Sequence, residues 1–258
     1  MEATVISSLQ NPRVKHLVQL QQKSAERRRT GLFVVEGQRE LQHCLAAGFT
    51  VQELFVLAGC EVKPMECAVN LVTPQVYEKI AYRGTTEGVV AVVQARQRSL
   101  SDLQLPASPL LVVLESVEKP GNLGAVLRSA DAAGADAVVV CDPLTDLYNP
   151  NLIRASIGAC FSVPLIACSS EECITFLQHN NIQILTAQLQ DSNLYYATDM
   201  RRPTALVFGT ESTGLTPQWR QAATAHIRIP MLGRMDSLNV SVSAAILLFE
   251  AVRQRATE

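Results

Sequence analysis

Residues 227–255 read IRIPMLGRMDSLNVSVSAAILLFEAVRQR. Ile227 to Ile229 alternates apolar and polar positions, which predicts a short strand. Pro230 and Gly233 then break the pattern, and a proline cannot donate to a central ladder. From Asp236 onward Val242, Ile246 and Phe249, with Ala245 and Leu248, keep helical spacing as far as Arg253. Ser237, Asn239 and Ser241 fall between strand and helix. The first N–H groups of a helix have no partner inside it, so polar residues at this mouth suit a ligand site. The same letters also suit an ordinary capped helix after a turn.

Two earlier stretches add to this one. Leu110 to Leu114 is a continuous apolar run, the mark of a strand covered on both faces, as in a parallel sheet. PGNLGAVLRSADAAG at 120–134 follows it. Leu123, Val126, Leu127 and Ala130 predict a helix ended by Gly134, with Asn122 at or near its N-cap and Arg128 off the apolar stripe. The glycine spacing is not a dinucleotide fingerprint, which needs GxGxxG directly after the strand and an acidic residue further on. FGTESTG at 208–214 is a strand end followed by two glycines that bracket a carboxylate, and Gly209 would let a ligand approach the backbone closely.

Taken together, in this order and spacing, the three stretches resemble the three motifs of the SpoU/TrmH family of RNA ribose 2′-O-methyltransferases, over roughly residues 110–255. The resemblance implies a mostly parallel α/β domain with a trefoil knot, S-adenosyl-L-methionine as cofactor, an RNA substrate and a homodimer formed through the C-terminal domain. It carries catalytic roles to Asn122, Arg128, Glu211, Ser237 and Asn239. It carries cofactor contacts to Gly209, Ile229 and Leu238, with Met231 nearby. Arg154, in the stretch RASIGA at 154–159, is a weaker match expected at most to touch RNA. Arg128 suits bidentate positioning of a phosphate beside the target ribose, with Asn122 and Glu211 arranging it. A guanidinium with a pKa above ~12 is a poor general base, and the base itself is not identified.

Upstream, residues 30–95 alternate strand and helix as a small α/β unit. LFVVEGQRELQHCLAAG at 32–48 is similar to the L30e-like substrate-binding domain carried by many members of the family. One helix is expected over residues 12–29. Residues 1–100 hold twelve Lys and Arg against nine Asp and Glu; residues 101–258 hold ten against fifteen. The basic excess lies between Asn11 and Thr30. Arg13, Lys15, Arg27, Arg28 and Arg29, with Arg83 in the glycine-flanked loop 82–88, are therefore the expected RNA contacts. The expected division is 1–97 for RNA binding, a polar linker over 98–108, and 109–258 for catalysis.

The chain has 258 residues, 48% of them hydrophobic, with a net charge of −2. That is enough apolar material for packed cores and excludes disorder. MEATVISSLQ lacks the basic and apolar regions of a signal peptide, and no apolar run nears the ~18 residues of a membrane span. A cytoplasmic protein is expected. The seven cysteines include no CxxC pair and read as buried or incidental thiols, with no metal site assigned. Cys60, Cys67 and a histidine fit no common zinc spacing. His16, His43, His179 and His226 stand outside the motifs; GxSxG and Walker A sequences are missing. The leading expectation is methylation of rRNA. The alternatives are tRNA methylation, a non-catalytic ribosome-assembly factor of the same fold, and the same chemistry used for protection against a ribosome-targeting antibiotic.

Overall fold

The computed structural model describes residues 4–82, 87–210 and 212–256. Two compact units are present, Met1–Arg96 with Tyr148–Ser162, and Gln97–Leu147 with Val163–Glu258.

The first unit runs β1 (Thr4–Ile6), α1 (Pro12–Gln22), α2 (Ser24–Thr30), β2 (Leu32–Glu36), α3 (Gln38–Ala46), β3 (Val51–Leu57), β4 (Ala68–Val72), α4 (Pro74–Ile80) and β5 (Val89–Gln94). Its sheet has the order β1-β4-β3-β5-β2. The apolar run of β5 pairs antiparallel with both β2 and β3, and its residues from Val89 to Val93 are all buried. The single helix expected over 12–29 is two helices, because Lys23 adopts an extended conformation. Arg27 accounts for the break. Its Nη1 donates to the carbonyls of Leu20 at 2.5 Å and Gln21 at 3.1 Å. These carbonyls lack helical partners at the end of α1.

The second unit begins with β6 (Leu110–Glu115), α5 (Pro120–Ala132) and β7 (Ala137–Cys141). The next two helices, α6 (Pro150–Ser156) and α7 (Ala159–Ser162), fall in the first unit. Tyr148 stacks on Phe33 with ring centroids 4.3 Å apart, and Phe161 meets Phe49 edge-on at 5.3 Å. The boundary drawn from sequence, with 109–258 as one piece, therefore differs from the structural division over 148–162. Aromatic packing against residues far upstream leaves no trace in a linear pattern.

The chain returns to the second unit with β8 (Leu165–Cys168), α8 (Ser170–His179), β9 (Gln183–Ala187), β10 (Asn193–Leu194), β11 (Thr204–Phe208), α9 (Pro217–Ala222), β12 (Ala225–Arg228) and α10 (Val240–Arg255). The sheet order is β10-β12-β9-β11-β6-β7-β8, and every pair is parallel. β6 and β11 lie at its centre and are buried along their whole length, as the unbroken apolar run predicts for β6. Leu111, Val113, Val139, Ile184, Val207 and Trp219 share one core.

Two helix starts differ from expectation. α5 begins at Pro120, whose missing N–H costs nothing in a first turn, so Asn122 lies inside that turn and Lys119 is the N-cap. α10 begins at Val240, four residues after Asp236, because Asn239 caps it: its Oδ1 accepts from the Ser241 N–H at 2.9 Å. The far end of α10 is pinned by Arg255, whose guanidinium donates to the carbonyls of Met200, Ser108, Pro109 and Arg202. No helix among the described residues is long and apolar enough to cross a membrane.

Candidate active site

A parallel sheet brings the carboxyl ends of its strands to one edge, where ligands bind in the loops. In the second unit the loops after β9, β11 and β12 meet residues 236–240 and the first turns of α10. They enclose a cavity of about 590 Å³, within the ~300–1,000 Å³ usual for small-molecule sites. Phe208, Leu215, Ile227, Val240 and Leu247 supply an apolar wall. Gln188, Arg220, Arg228, Asp236, Ser237, Asn239 and Ser243 supply polar groups.

All four cofactor-contact expectations, Gly209, Ile229, Met231 and Leu238, line this cavity, as do Ser237 and Asn239. Gly209 has a different structural reason from the one expected. The loop after β11 folds back on itself, with Thr210 and Gly214 exchanging two backbone hydrogen bonds of 3.3 and 3.1 Å. A Cβ at position 209 would collide with the backbone of Gly214 and Leu215. The glycine is needed for the loop to close, before any ligand approaches. Gly214 closes the other end at φ +69°, a conformation that disfavours any side chain. Glu211 lies outside the described residues.

The loop is held from below by Glu115, which the linear pattern did not single out. This buried carboxylate at the end of β6 accepts from the Thr216 N–H at 2.9 Å and the Thr216 hydroxyl at 2.6 Å. Two hydrogen bonds to a buried carboxyl group fix where the chain leaves the loop.

Asn122 and Arg128 are not part of the cavity wall. Asn122 reaches it through Asn239, whose Nδ2 donates to the Asn122 Oδ1 at 3.2 Å. Asn239 also receives the Ser241 hydroxyl at 2.7 Å, so one side chain caps α10 and links it to α5. Ser237 donates to the neighbouring Asp236 Oδ1 at 3.2 Å. Arg128 stands exposed two turns along α5 from Asn122.

The donor set fits a nucleoside that carries a free amino-acid end. Gln188 Oε1 is buried and has no hydrogen-bond partner among the described residues, while its Nε2 is held by the Gln190 carbonyl at 2.9 Å. An unsatisfied buried acceptor costs ~1–3 kcal/mol, and an exocyclic amine such as that of adenine would satisfy it. Arg220 and Arg228 carry donors for a carboxylate, and Asp236 carries an acceptor for an ammonium. Residues 187–190 were missed in the sequence, where nothing local marks them.

In the first unit the expected RNA contacts separate. Arg27 is buried and committed to the end of α1, so it is not a surface phosphate grip. Arg29 forks onto Glu26 at 2.6 and 3.0 Å, and that hydrogen-bonded guanidinium holds the Glu26 carboxyl below its ordinary pKa. Arg13 donates to the buried Asn70 at 2.6 Å. Lys15 and Arg28 are exposed. Arg154 is exposed and lies over the Tyr82 ring, 5.7 Å from its centroid. Arg83 lies outside the described residues.

The chain is similar to known proteins in sequence and fold. The SpoU rRNA Methylase family matches residues 109–249, and the MRM3-like substrate binding domain matches residues 11–91. The chain is 37% identical over 220 residues to the 23S rRNA (guanosine-2′-O-)-methyltransferase RlmB of Escherichia coli K12, covering 79% of this chain and 90% of that protein. The AdoMet-bound rRNA methyltransferase from Sinorhizobium meliloti superimposes with a TM-score of 0.90 at 30% identity, over 97% of this chain and 98% of the other. The SpoU methyltransferase AviRb from Streptomyces viridochromogenes, in complex with AdoMet, gives 0.89 at 27%, over 96% and 99%.

Proposed function

The chain belongs to the SpoU rRNA methylase family, and from that premise we infer that it is an S-adenosylmethionine-dependent enzyme methylating a ribose 2′-hydroxyl of rRNA. The observation that carries this reading is the cavity at the carboxyl edge of the parallel sheet, where Gly209, Ile229, Met231, Ser237, Leu238 and Asn239 come together. S-adenosylmethionine supplies an electrophilic methyl group on a sulfonium centre. The apolar wall and the Gln188 amide suit its adenine, and the backbone of the loops after β11 and β12 suits the rest.

For transfer, the 2′-hydroxyl must be brought into line with the methyl group and must lose its proton. Asn239 and Ser237 stand at the cavity edge, suited to orienting that hydroxyl. Arg128 is assigned to the neighbouring phosphate. A permanently charged fork fixes a phosphate in two directions but does not take up a proton. Asn122 is assigned to holding Asn239 in place, and Glu211 to arranging Arg128.

The first unit presents the RNA. Lys15 and Arg28 offer exposed cations, and Tyr82 with Arg154 offers an exposed aromatic and guanidinium pair on which a base can stack. The reading includes a cytoplasmic homodimer. Val242 and Phe249 of α10 are 46% and 48% exposed, an apolar face that a second copy would cover. The trefoil knot of the family is assigned to the three loops that line the cavity.

Large-subunit rRNA is the favoured target, since the Escherichia coli relative bears that name. Labelled methyl transfer to total unmodified RNA, separated by size, tests this. Label in the large rRNA is expected; label in the tRNA fraction would reassign the substrate.

A further inference from the structure

Three cysteines converge away from the cavity. Cys141 ends β7, Cys168 ends β8, and Cys173 lies in the first turns of α8. Their Sγ atoms all lie within 4.8 Å of one another. Cys141 and Cys168 are register partners on adjacent parallel strands. Cys173 is brought over them because α8 starts immediately after β8, set by a capping box between Ser169 and Glu172. β7 and β8 form one end of the sheet, with β6 and β11 between them and β9. The cluster is therefore separate from the methyl-transfer site.

The chemistry of the group is that of a soft-metal cage. All three donors are sulfur, the ligand type that selects zinc-like and copper-like ions over hard cations. A metal held at ~2.3 Å from three thiolates sets the sulfurs about 3.8 Å apart, which side-chain rotation from the observed spacing can reach. The N-terminus of α8, a ten-residue helix, adds a partial positive charge that favours thiolates. Cys141 and Cys173 are buried and Cys168 is partly open, so an ion has an entry side and a place for a water as fourth ligand.

We propose that Cys141, Cys168 and Cys173 form a binding site for a zinc-like divalent ion. As each sulfur–metal bond forms, the thiol gives up its proton to solvent. Three protons leave, no electron is transferred, and a divalent ion with three thiolates keeps one negative charge. A monovalent copper ion would leave two negative charges in the same largely buried place, which is why the divalent ion is favoured. The bound ion would tie β7, β8 and α8 together at the edge of the sheet. The linear spacing concealed the site: the ligands come from two strand ends and a helix, with no CxxC pair.

The test uses the full chain, reduced, metal-free and under anaerobic conditions, titrated with Co²⁺ and then Zn²⁺. A near-ultraviolet thiolate-to-cobalt charge-transfer band should saturate at one ion per chain and be bleached by Zn²⁺. Cys168→Ser and Cys173→Ala should each weaken Co²⁺ binding by about tenfold or more. A Cys60→Ser, Cys67→Ser double variant should bind as the parent does. If Cys173→Ala does not fold, Cys168→Ser, at the partly open position, decides alone. Absence of the band in the parent protein, or an unchanged band in Cys168→Ser, would overturn the proposal. Binding of Cu⁺ without Co²⁺ or Zn²⁺ would do the same for the divalent assignment.

Discussion

The Asn239 side-chain amide donates to Asn122 Oδ1 at 3.2 Å, joining the mouth of α10 to the first turn of α5. The same Asn239 caps α10 through Ser241. Two residues 117 positions apart thus share one hydrogen bond at the edge of the cavity.

The two ends of that bond should respond differently to removal. Asn239→Ala loses both cap and link, and a lost Asn cap costs about 1 kcal/mol of stability. Asn122→Ala loses the link to Asn239 but leaves the cap in place, and should lower thermal stability less than Asn239→Ala does. Both should lower kcat for methyl transfer. Equal loss of Tm in the two variants would show that the cap does not distinguish them.

Gly209→Ala should damage cofactor binding through the loop. The new Cβ meets the backbone of Gly214 and Leu215, which cannot rotate away as a side chain would. Overpacking of this kind costs ~1–3 kcal/mol, and displacement of the loop after β11 opens the cavity wall. Calorimetry should find S-adenosylmethionine bound about tenfold more weakly or not at all. Parental affinity in Gly209→Ala would refute the steric role.

Gln188→Leu keeps the side-chain bulk and removes the orphaned acceptor. Loss of one hydrogen bond of about 1–1.5 kcal/mol predicts a Kd for S-adenosylmethionine raised roughly tenfold. The free protein should be no less stable, since an unsatisfied buried oxygen has been removed. An unchanged Kd would place the adenine elsewhere in the cavity.

Arg27 and Arg28 are neighbours with opposite assignments. Arg27→Ala leaves the Leu20 and Gln21 carbonyls without their donor and a buried side chain missing; Tm should fall, with a loss of ~1–3 kcal/mol. Arg28→Ala should leave Tm alone, weaken RNA binding, and reduce the slope of log affinity against log salt by about one unit. A salt slope altered by Arg27→Ala in a fully folded protein would return that residue to the RNA surface.

The periodic parts of the fold were legible. The apolar run at Leu110–Leu114 announced a strand covered on both faces, and this is β6, beside β11 in the middle of the sheet. Four residues that line the cavity, Gly209, Ile229, Met231 and Leu238, had been singled out through the resemblance because they sit in contiguous motifs. Features that depend on distant partners were not. Arg27 looks like its neighbours in an Arg run until its guanidinium is seen folding back on α1. Tyr148 and Phe161 give no sign of packing on Phe33 and Phe49. Gln188 and Glu115 lie at strand ends with nothing local to mark them, and the three clustered thiols come from separate elements.

Position-resolved mapping of alkali-resistant linkages tests the central claim most directly. Unmodified large-subunit rRNA would be incubated with the protein and S-adenosylmethionine, and a parallel sample with Arg128→Ala. A methyl group on a 2′-oxygen removes the nucleophile that alkali uses to cleave the chain. One new alkali-resistant position should appear with the parent protein and be lost with Arg128→Ala, while cofactor binding to that variant persists. Methylation of a base, leaving every linkage alkali-sensitive, would contradict the account.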